Sequence, residues 1–255
     1  MSEDHLSDTQ HSDGSWEDHA AWWIQGYTDG ADPEYVEQIE PLAAVELAGA
    51  RRVLDVGCGD GQLTRLAAGL AGVELAVGID PTWNQISVAA ARGRASGFAR
   101  AGADGLPFPD GSFDAVVACL VFEHIDAVDD AIAEVARVLV PDGRFCFFLN
   151  HPLLSTPESG WIDDHMVDPA EQYWRIGPYL PEAVTLEEVE PDVLIRFVHR
   201  PLSRYVNALA ANGLLVERMV EPAPPPGFLA LAPEYQQAST VPRLMYLRSV
   251  KTAAD

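Results

Sequence analysis

The chain has 255 residues, 48% hydrophobic and 22% charged, the composition of a folded globular protein large enough for one α/β domain with an insertion. Lysine plus arginine number 16 against 39 aspartates and glutamates, a net charge of −23, so the surface repels phosphate backbones and anionic membranes, and neither nucleic acid nor membrane is an expected partner. Cys58, Cys119 and Cys146 are too scattered for a zinc or redox pair and read as small buried thiols in a reducing, cytoplasmic setting; no stretch has the character of a signal peptide or membrane span.

Residues 1–15 are polar and acidic, the composition of a disordered lead-in. His5, His11 and His19 are irregularly spaced, which suits a solvated segment; no metal site is expected. Between Trp16 and Tyr27 the chain carries Trp16, Trp22, Trp23, Ile24 and Tyr27, too many large apolar groups to leave in water, and a helix lying on the core or over a ligand is expected. Asp32-Pro33-Glu34 starts another helix, with Asp32 as cap, Pro33 at the first position and Tyr35, Val36, Ile39, Leu42 and Val45 as its inward face.

Val53 to Val56 is a short apolar run broken by Asp55, followed by Gly57, Gly59 and Gly61 and then helix formers from Gln62 to Leu70: strand, tight turn, helix. Glycines let the backbone approach a ligand, and the helix start aims unpaired N–H groups at it. A second strand, Val73 to Asp80, ends nineteen positions beyond Gly61 in a carboxylate able to accept both hydroxyls of a ribose. A dinucleotide fingerprint needs glycine where Gln62 stands, which disfavours a nicotinamide-dependent oxidoreductase.

A helix from Thr82 to Ala91 and a short strand from Gly97 to Ala101 lead into Ala103-Asp104-Gly105-Leu106-Pro107-Phe108-Pro109. Asp104 before glycine is also a plain turn signal. After a turn at Asp110 to Asp114, the apolar strand Ala115 to Val121 delivers Phe122-Glu123-His124 to the sheet edge where open α/β folds bind ligands. The helix Val128 to Leu139 stops at Pro141-Asp142-Gly143, before a fifth strand, Phe145 to Leu149. Residues 151–202, with Trp161, His165, Met166, Tyr173, Trp174, Tyr179 and Glu182, are too many for a simple connection and form a candidate lid. A helix through Ser203 to Leu209, a strand Leu214 to Val220, a stiff Pro222 to Gly227 loop and a strand Val241 to Val250 complete seven strands. The expected organisation is a tail, 1–15, and one domain, 16–255, made of N-terminal helices (16–50), a binding core (51–150), the lid (151–202) and the rest of the sheet (203–255).

Asp55-Val56-Gly57-Cys58-Gly59-Asp60-Gly61 resembles motif I of the class I S-adenosylmethionine (SAM)-dependent methyltransferases. The segment from about Arg52 to Leu149 resembles the methyltransferase domain of the small-molecule, UbiE-like type, including the Leu-Val-Pro-Asp-Gly-Arg turn before the fifth strand. The resemblance implies a Rossmann-like, mostly parallel seven-stranded sheet with helices on both faces, SAM as cofactor with S-adenosylhomocysteine as product, and methyl transfer to oxygen or nitrogen of a small organic acceptor. It carries cofactor roles to Asp55, Gly57, Cys58 and Gly59 in the turn, Asp80 and Pro81 at the ribose, Asp104 and Gly105 at the adenine, and Leu120; family members often carry a histidine like His124 near the methionyl part. Trp22, Trp23 and Tyr27 either shield the cofactor, whose sulfonium an aromatic face attracts, or simply pack.

A methyl group on a sulfonium is electrophilic without further activation, so the protein has chiefly to orient the acceptor, an effect worth up to ~7–11 kcal/mol. A general base adds about two to four orders of magnitude for a hydroxyl or protonated amine. His151, directly after the fifth strand, is the leading base candidate, with a stacked lid histidine as the alternative; His124 is a second, equally suited to packing, and His165 and His199 are weaker. Leu120-Val121-Phe122-Glu123 stands where methylases of base amines and glutamine carry Asn/Asp-Pro-Pro-aromatic. That absence and the acidic surface narrow the acceptor to a small molecule, and the aromatic lid to a flat or apolar one, as in secondary-metabolite tailoring enzymes. A SAM-binding protein without transfer, or one using the cofactor for a cyclisation, fits the same motif, because binding and chemistry reside in separate parts of such a chain.

Overall fold

Alternating apolar residues in consecutive strands have to be covered on both faces, and the chain does this with helices that return each strand to its parallel neighbour. The computed structural model describes residues 16–231 and 237–253; the expected lead-in, with His5 and His11, lies outside them. In chain order the elements are α1 (Trp16–Tyr27), a π-helical turn (Tyr35–Ile39) running into α2 (Glu40–Leu47), β1 (Arg52–Val56), α3 (Gln62–Gly69), β2 (Leu75–Asp80), α4 (Trp83–Arg92), β3 (Gly97–Arg100) and β4 (Phe113–Cys119). A 3-10 turn (Phe122–His124), α5 (Val128–Val138) and β5 (Leu139–Asn150) follow, then β6 (Gly160–Asp164), β7 (Glu171–Arg175), β8 (Ala183–Glu190), β9 (Val193–His199), α6 (Leu202–Ala211), β10 (Leu214–Val220), α7 (Pro226–Leu231) and β11 (Leu244–Lys251).

The main sheet has seven strands in the order β10-β11-β5-β4-β1-β2-β3. β11 runs antiparallel to both neighbours and the other pairings are parallel, so the expected Rossmann-like architecture is the one observed. Period-two alternation sorts the side chains: Leu54, Val56, Val116, Phe145 and Phe147 pack with Ile132 of α5 and Leu209 of α6 on one face. Val53, Ala76, Val117, Cys146 and Phe148 meet Ala43 and Leu47 of α2 and Leu63 and Ala67 of α3 on the other. All three cysteines are free and buried. The strand order reverses between β1 and β4, which opens a crevice at their carboxyl ends.

Four local expectations are corrected. Val36 and Val45 face water, because the π turn lines up Tyr35 with Ile39 and the buried row continues through Ala43 and Leu47. His19, expected in a solvated segment, is buried on α1. Pro226 and Gly227 begin α7 rather than ending a loop. β5 starts at Leu139, with a bulge where a turn was expected, since Leu139 pairs Phe113 and Arg144 pairs Ala115. The segment proposed as a lid is two antiparallel hairpins, β6–β7 and β8–β9.

Candidate active site

β1 carries Asp55 to the carboxyl edge of the sheet, where Thr64 Oγ1 of α3 donates to its Oδ2 at 2.6 Å. Burial pushes the Asp55 carboxyl up to about 7 against that hydrogen bond. The chain then bends through Gly57 (φ +71°), where a Cβ would stand 2.4 Å from one Val121 methyl and 2.5 Å from the other. Glycine is required there both for the left-handed backbone and for the approach of the β4 exit. The amides of Gly57 and Cys58 donate to Ile79 O, each at 2.8 Å, and that of Gly59 to Asp80 Oδ2 at 3.0 Å. These N–H groups tie the turn to β2. Thr82 N donates to Asp80 Oδ1 at 2.8 Å, and burial raises the Asp80 carboxyl while the two amides pull it the other way.

The turn, the end of β2 and the end of β4 enclose a cavity of about 930 Å³, counted with its mouth. Asp55, Gly57, Cys58, Gly59, Asp80 and Pro81 form one side, Ala101 and Ala103 the next, and Leu120, Val121, His124 and Ile125 the wall after β4. Trp16, Trp23 and Tyr35 line it from the N-terminal segment. Glu17 fixes α1 in place by accepting from the amides of Trp83 (2.8 Å) and Asn84 (3.1 Å), so one helix caps the start of another. Gln62 Nε2 donates to Tyr27 O at 3.2 Å and secures the other end of α1 to the glycine turn. Trp16 and Trp23, seven residues apart on a helix, share a face and meet edge-on at 5.6 Å.

Among the residues singled out in the sequence, Asp55, Gly57, Cys58, Gly59, Asp80, Pro81, Leu120 and His124 are brought together on this cavity. Trp22 and Tyr27 are not part of its lining: Trp23 covers Tyr27 by stacking on it at 4.4 Å and 9°. Asp104 and Gly105 sit on an exposed turn outside the lining, with the Asp104 carboxylate folded back to within 2.6 Å of where a Gly102 Cβ would stand. His151 is also absent from the lining. It is buried, its Nε2 donates to Glu221 Oε1 at 2.7 Å and its Nδ1 accepts from Leu153 N at 3.2 Å, so both ring nitrogens are engaged away from the cavity. His165 is exposed in the β6–β7 turn, and buried His199 donates from Nε2 to Tyr179 O at 2.7 Å. Trp161 and Trp174 of the hairpin line a separate, smaller cavity with Phe228 and Arg243.

Sequence reasoning missed Tyr35, Thr82 and Gln85. Gln85 follows Asp80 by five residues in the first turn of α4, a position the carboxylate could have flagged; Tyr35 was expected only as part of a helix's inward face. Gln85 Oε1 is buried and has no donor among the described residues. It lies in the cavity lining with the Asp55 and Asp80 carboxylates, and among the described residues no lysine or arginine lines that cavity. An unmet acceptor on Gln85, two carboxylates and aromatic walls fit a cationic adenosyl sulfonium that carries hydroxyl and ammonium donors.

A family model described as a methyltransferase domain matches residues 54–147. The chain is 38% identical over 109 residues to the uncharacterized methyltransferase YcgJ of Bacillus subtilis, a match spanning 41% of this chain and 42% of that protein, so less than half of that relative's length. It is 38% identical over 213 residues to the malonyl-[acyl-carrier protein] O-methyltransferase of Geobacter sulfurreducens, covering 73% of this chain and 79% of that one. A solved S-adenosylmethionine-dependent methyltransferase from Mesorhizobium loti superposes with a TM-score of 0.71 at 26% identity, over 83% of this chain and 96% of that one.

Proposed function

Because this chain belongs to the class I SAM-dependent methyltransferases, we propose that it transfers the methyl group of SAM to oxygen or nitrogen of a small organic acceptor. The observation that carries the reading is the cavity at the β1/β4 crevice, in which the Gly57–Gly59 turn, Asp80 and the wall after β4 converge beneath an aromatic helix. SAM, when bound, supplies an electrophilic methyl carbon on sulfur. The chain's own residues do the rest: Asp80 accepts hydroxyl donors, Asp55 and Gln85 offer further acceptors, and Leu120, Ala101 and Ala103 present apolar surface to a ring. Trp16, Trp23 and Tyr35 exclude water and set the acceptor's approach, the orientation effect on which the rate chiefly depends.

A flat or apolar acceptor is favoured by the aromatic wall of α1 rather than by the hairpin aromatics. The net charge of −23 argues against a nucleic-acid acceptor, and a tailoring reaction on a small metabolite is consistent with both. The test is calorimetry with SAM and S-adenosylhomocysteine, then release of S-adenosylhomocysteine against a panel of phenols, alcohols, amines and carbon acids. Micromolar binding with acceptor-dependent release supports the proposal. Binding without release from any acceptor class points instead to a SAM-binding protein without transfer, and no binding removes the reading.

A further inference from the structure

Among the described residues the β8–β9 hairpin contributes no side chain to the cavity lining, yet it holds the stretch of wall that follows Val121. Arg200 stands between the end of β9 and Pro201, the residue before α6, and a residue that precedes proline is driven to extended backbone. Its side chain is buried. Nη1 donates to Phe122 O at 3.0 Å, and Nη2 donates to Ile125 O at 2.6 Å and to Asp126 O at 3.1 Å. Nε lies 3.4 Å from Glu182 Oε2. A guanidinium is a rigid, planar fork of five N–H donors, so this one side chain fixes the peptide oxygens of three residues at once, and those oxygens offset the cost of removing its charge from water.

The wall has two supports that meet at Val121. Before that residue the sheet provides them: Leu120 N donates to Phe148 O at 3.0 Å, extending the β4–β5 pairing, and the Val121 methyls press on the glycine turn at Gly57. After it the chain leaves the sheet. Residues 122–126 are held through the Glu123 carboxylate, which accepts from Asn150 Nδ2 at 2.6 Å, and through the carbonyls that Arg200 gathers. His124 and Ile125 of this stretch line the cavity. The same hairpin fixes the His124 ring, whose Nδ1 donates to Arg196 O at 2.8 Å and which is packed between Phe197 and Trp16, each with its centroid 4.8 Å away. Any shift of residues 122–126 is therefore passed by that ring to the Trp16 indole in the cavity.

We propose that Arg200 is a positioning residue for the acceptor: by clamping residues 122–126 it sets where Ile125 and, through the His124 ring, Trp16 stand, without acting on the cofactor side of the cavity. That role presupposes the methyl transfer proposed above. Rate in such a transfer depends on alignment, and a misplacement of about 1 Å costs about 100-fold. The hairpin thus governs acceptor orientation from behind the wall.

Arg200→Lys keeps the charge beside Glu182 but replaces the fork by one ammonium. With an acceptor turned over by the parent protein, its kcat/KM should fall by about 10- to 100-fold, while the SAM Kd read by calorimetry changes by less than about threefold. A SAM Kd that weakens in step with kcat/KM overturns the proposal, because the whole cavity has then loosened. In fluorotryptophan-labelled protein the Trp16 resonance, assigned by its loss in Trp16→Phe, should shift in Arg200→Lys while those of Trp161 and Trp174 hold. An unmoved Trp16 resonance overturns it whatever the turnover. Arg204→Gln is the control: Arg204 pairs with Asp129 at 2.6 Å and with Glu182 at 2.9 Å, and should leave both acceptor kcat/KM and the Trp16 resonance as in the parent. An equal loss in Arg204→Gln overturns the proposal in favour of general weakening of the hairpin. Should Arg200→Lys fail to fold, Phe197→Ala, which takes the hairpin's ring from His124 and removes no buried charge, has to give the same Trp16 shift and the same selective loss, and its failure to do so overturns the clamp. If the parent protein turns over no acceptor, the methyltransferase reading fails, and the Trp16 resonance still decides whether Arg200 holds the wall.

Discussion

Gly57 is the residue on which the cavity most directly depends. Its φ of +71° and the 2.4 Å that would separate a Cβ from Val121 leave no room for a side chain. Gly57→Ala should cost about 1–3 kcal/mol from overpacking and backbone strain and weaken SAM at least tenfold, read by thermal unfolding and calorimetry. Glu123 tests burial instead. Its Oε1 accepts from Asn150 Nδ2 at 2.6 Å, its Oε2 has no partner among the described residues, and burial pushes the carboxyl up to about 7. The folded value lies above the unfolded one, so its contribution to stability is complete below the ordinary carboxyl range near pH 4.5 and is lost as pH rises toward and through about 7. Glu123→Gln should therefore match the parent in denaturant unfolding at pH 4 and exceed it at pH 8; equal loss at both values would remove buried ionisation as the cause.

At the scale of elements, α1 is the aromatic helix that the structure places as a wall of the cavity. A short helix with an apolar stripe is marginal by itself and gains its position from tertiary contacts, here the Glu17 carboxylate on the first amides of α4 and Gln62 on Tyr27 O. Trp23 is the aromatic group that both lines the cavity and stacks on Tyr27. Trp23→Ala should weaken SAM about tenfold, roughly the 0.5–1.5 kcal/mol of an aromatic contact, with calorimetry as the readout; an unchanged Kd would assign Trp23 to packing alone. The hairpin β8–β9 is likewise a scaffold as much as a cover, since Arg196 and Arg200 both reach the turn after β4.

At the scale of the whole molecule, a chain of net charge −23 holds a cavity lined by carboxylates and, among the described residues, by no lysine or arginine. Long-range attraction of a cation into such a cleft is screened by salt. The association rate of SAM, which carries a net positive charge, should fall as ionic strength rises from 0.01 to 0.15 M, whereas that of neutral S-adenosylhomocysteine should hold nearly constant. Stopped-flow fluorescence of the cavity tryptophans measures both, and parallel slopes would exclude steering.

The sequence by itself determined the sheet and its cofactor edge. The strand Arg52–Val56, the glycine turn and the carboxylate ending at Asp80 are local patterns, written in period-two burial, in positions that only glycine tolerates, and in residues a fixed count apart. What touches the cavity from afar was decided only by tertiary structure. His151 and His124 look alike as histidines after strand ends, yet one spends both nitrogens on Glu221 and Leu153 and the other lines the cavity with Nδ1 on Arg196 O, because the partner that fixes each ring comes from 70 or 72 residues further along the chain. Tyr35, Gln85 and the helix-capping Glu17 belong to the same class. Their roles arise from where packing brings separate segments together, and no local pattern encodes a contact whose two sides are joined only when the sheet is complete.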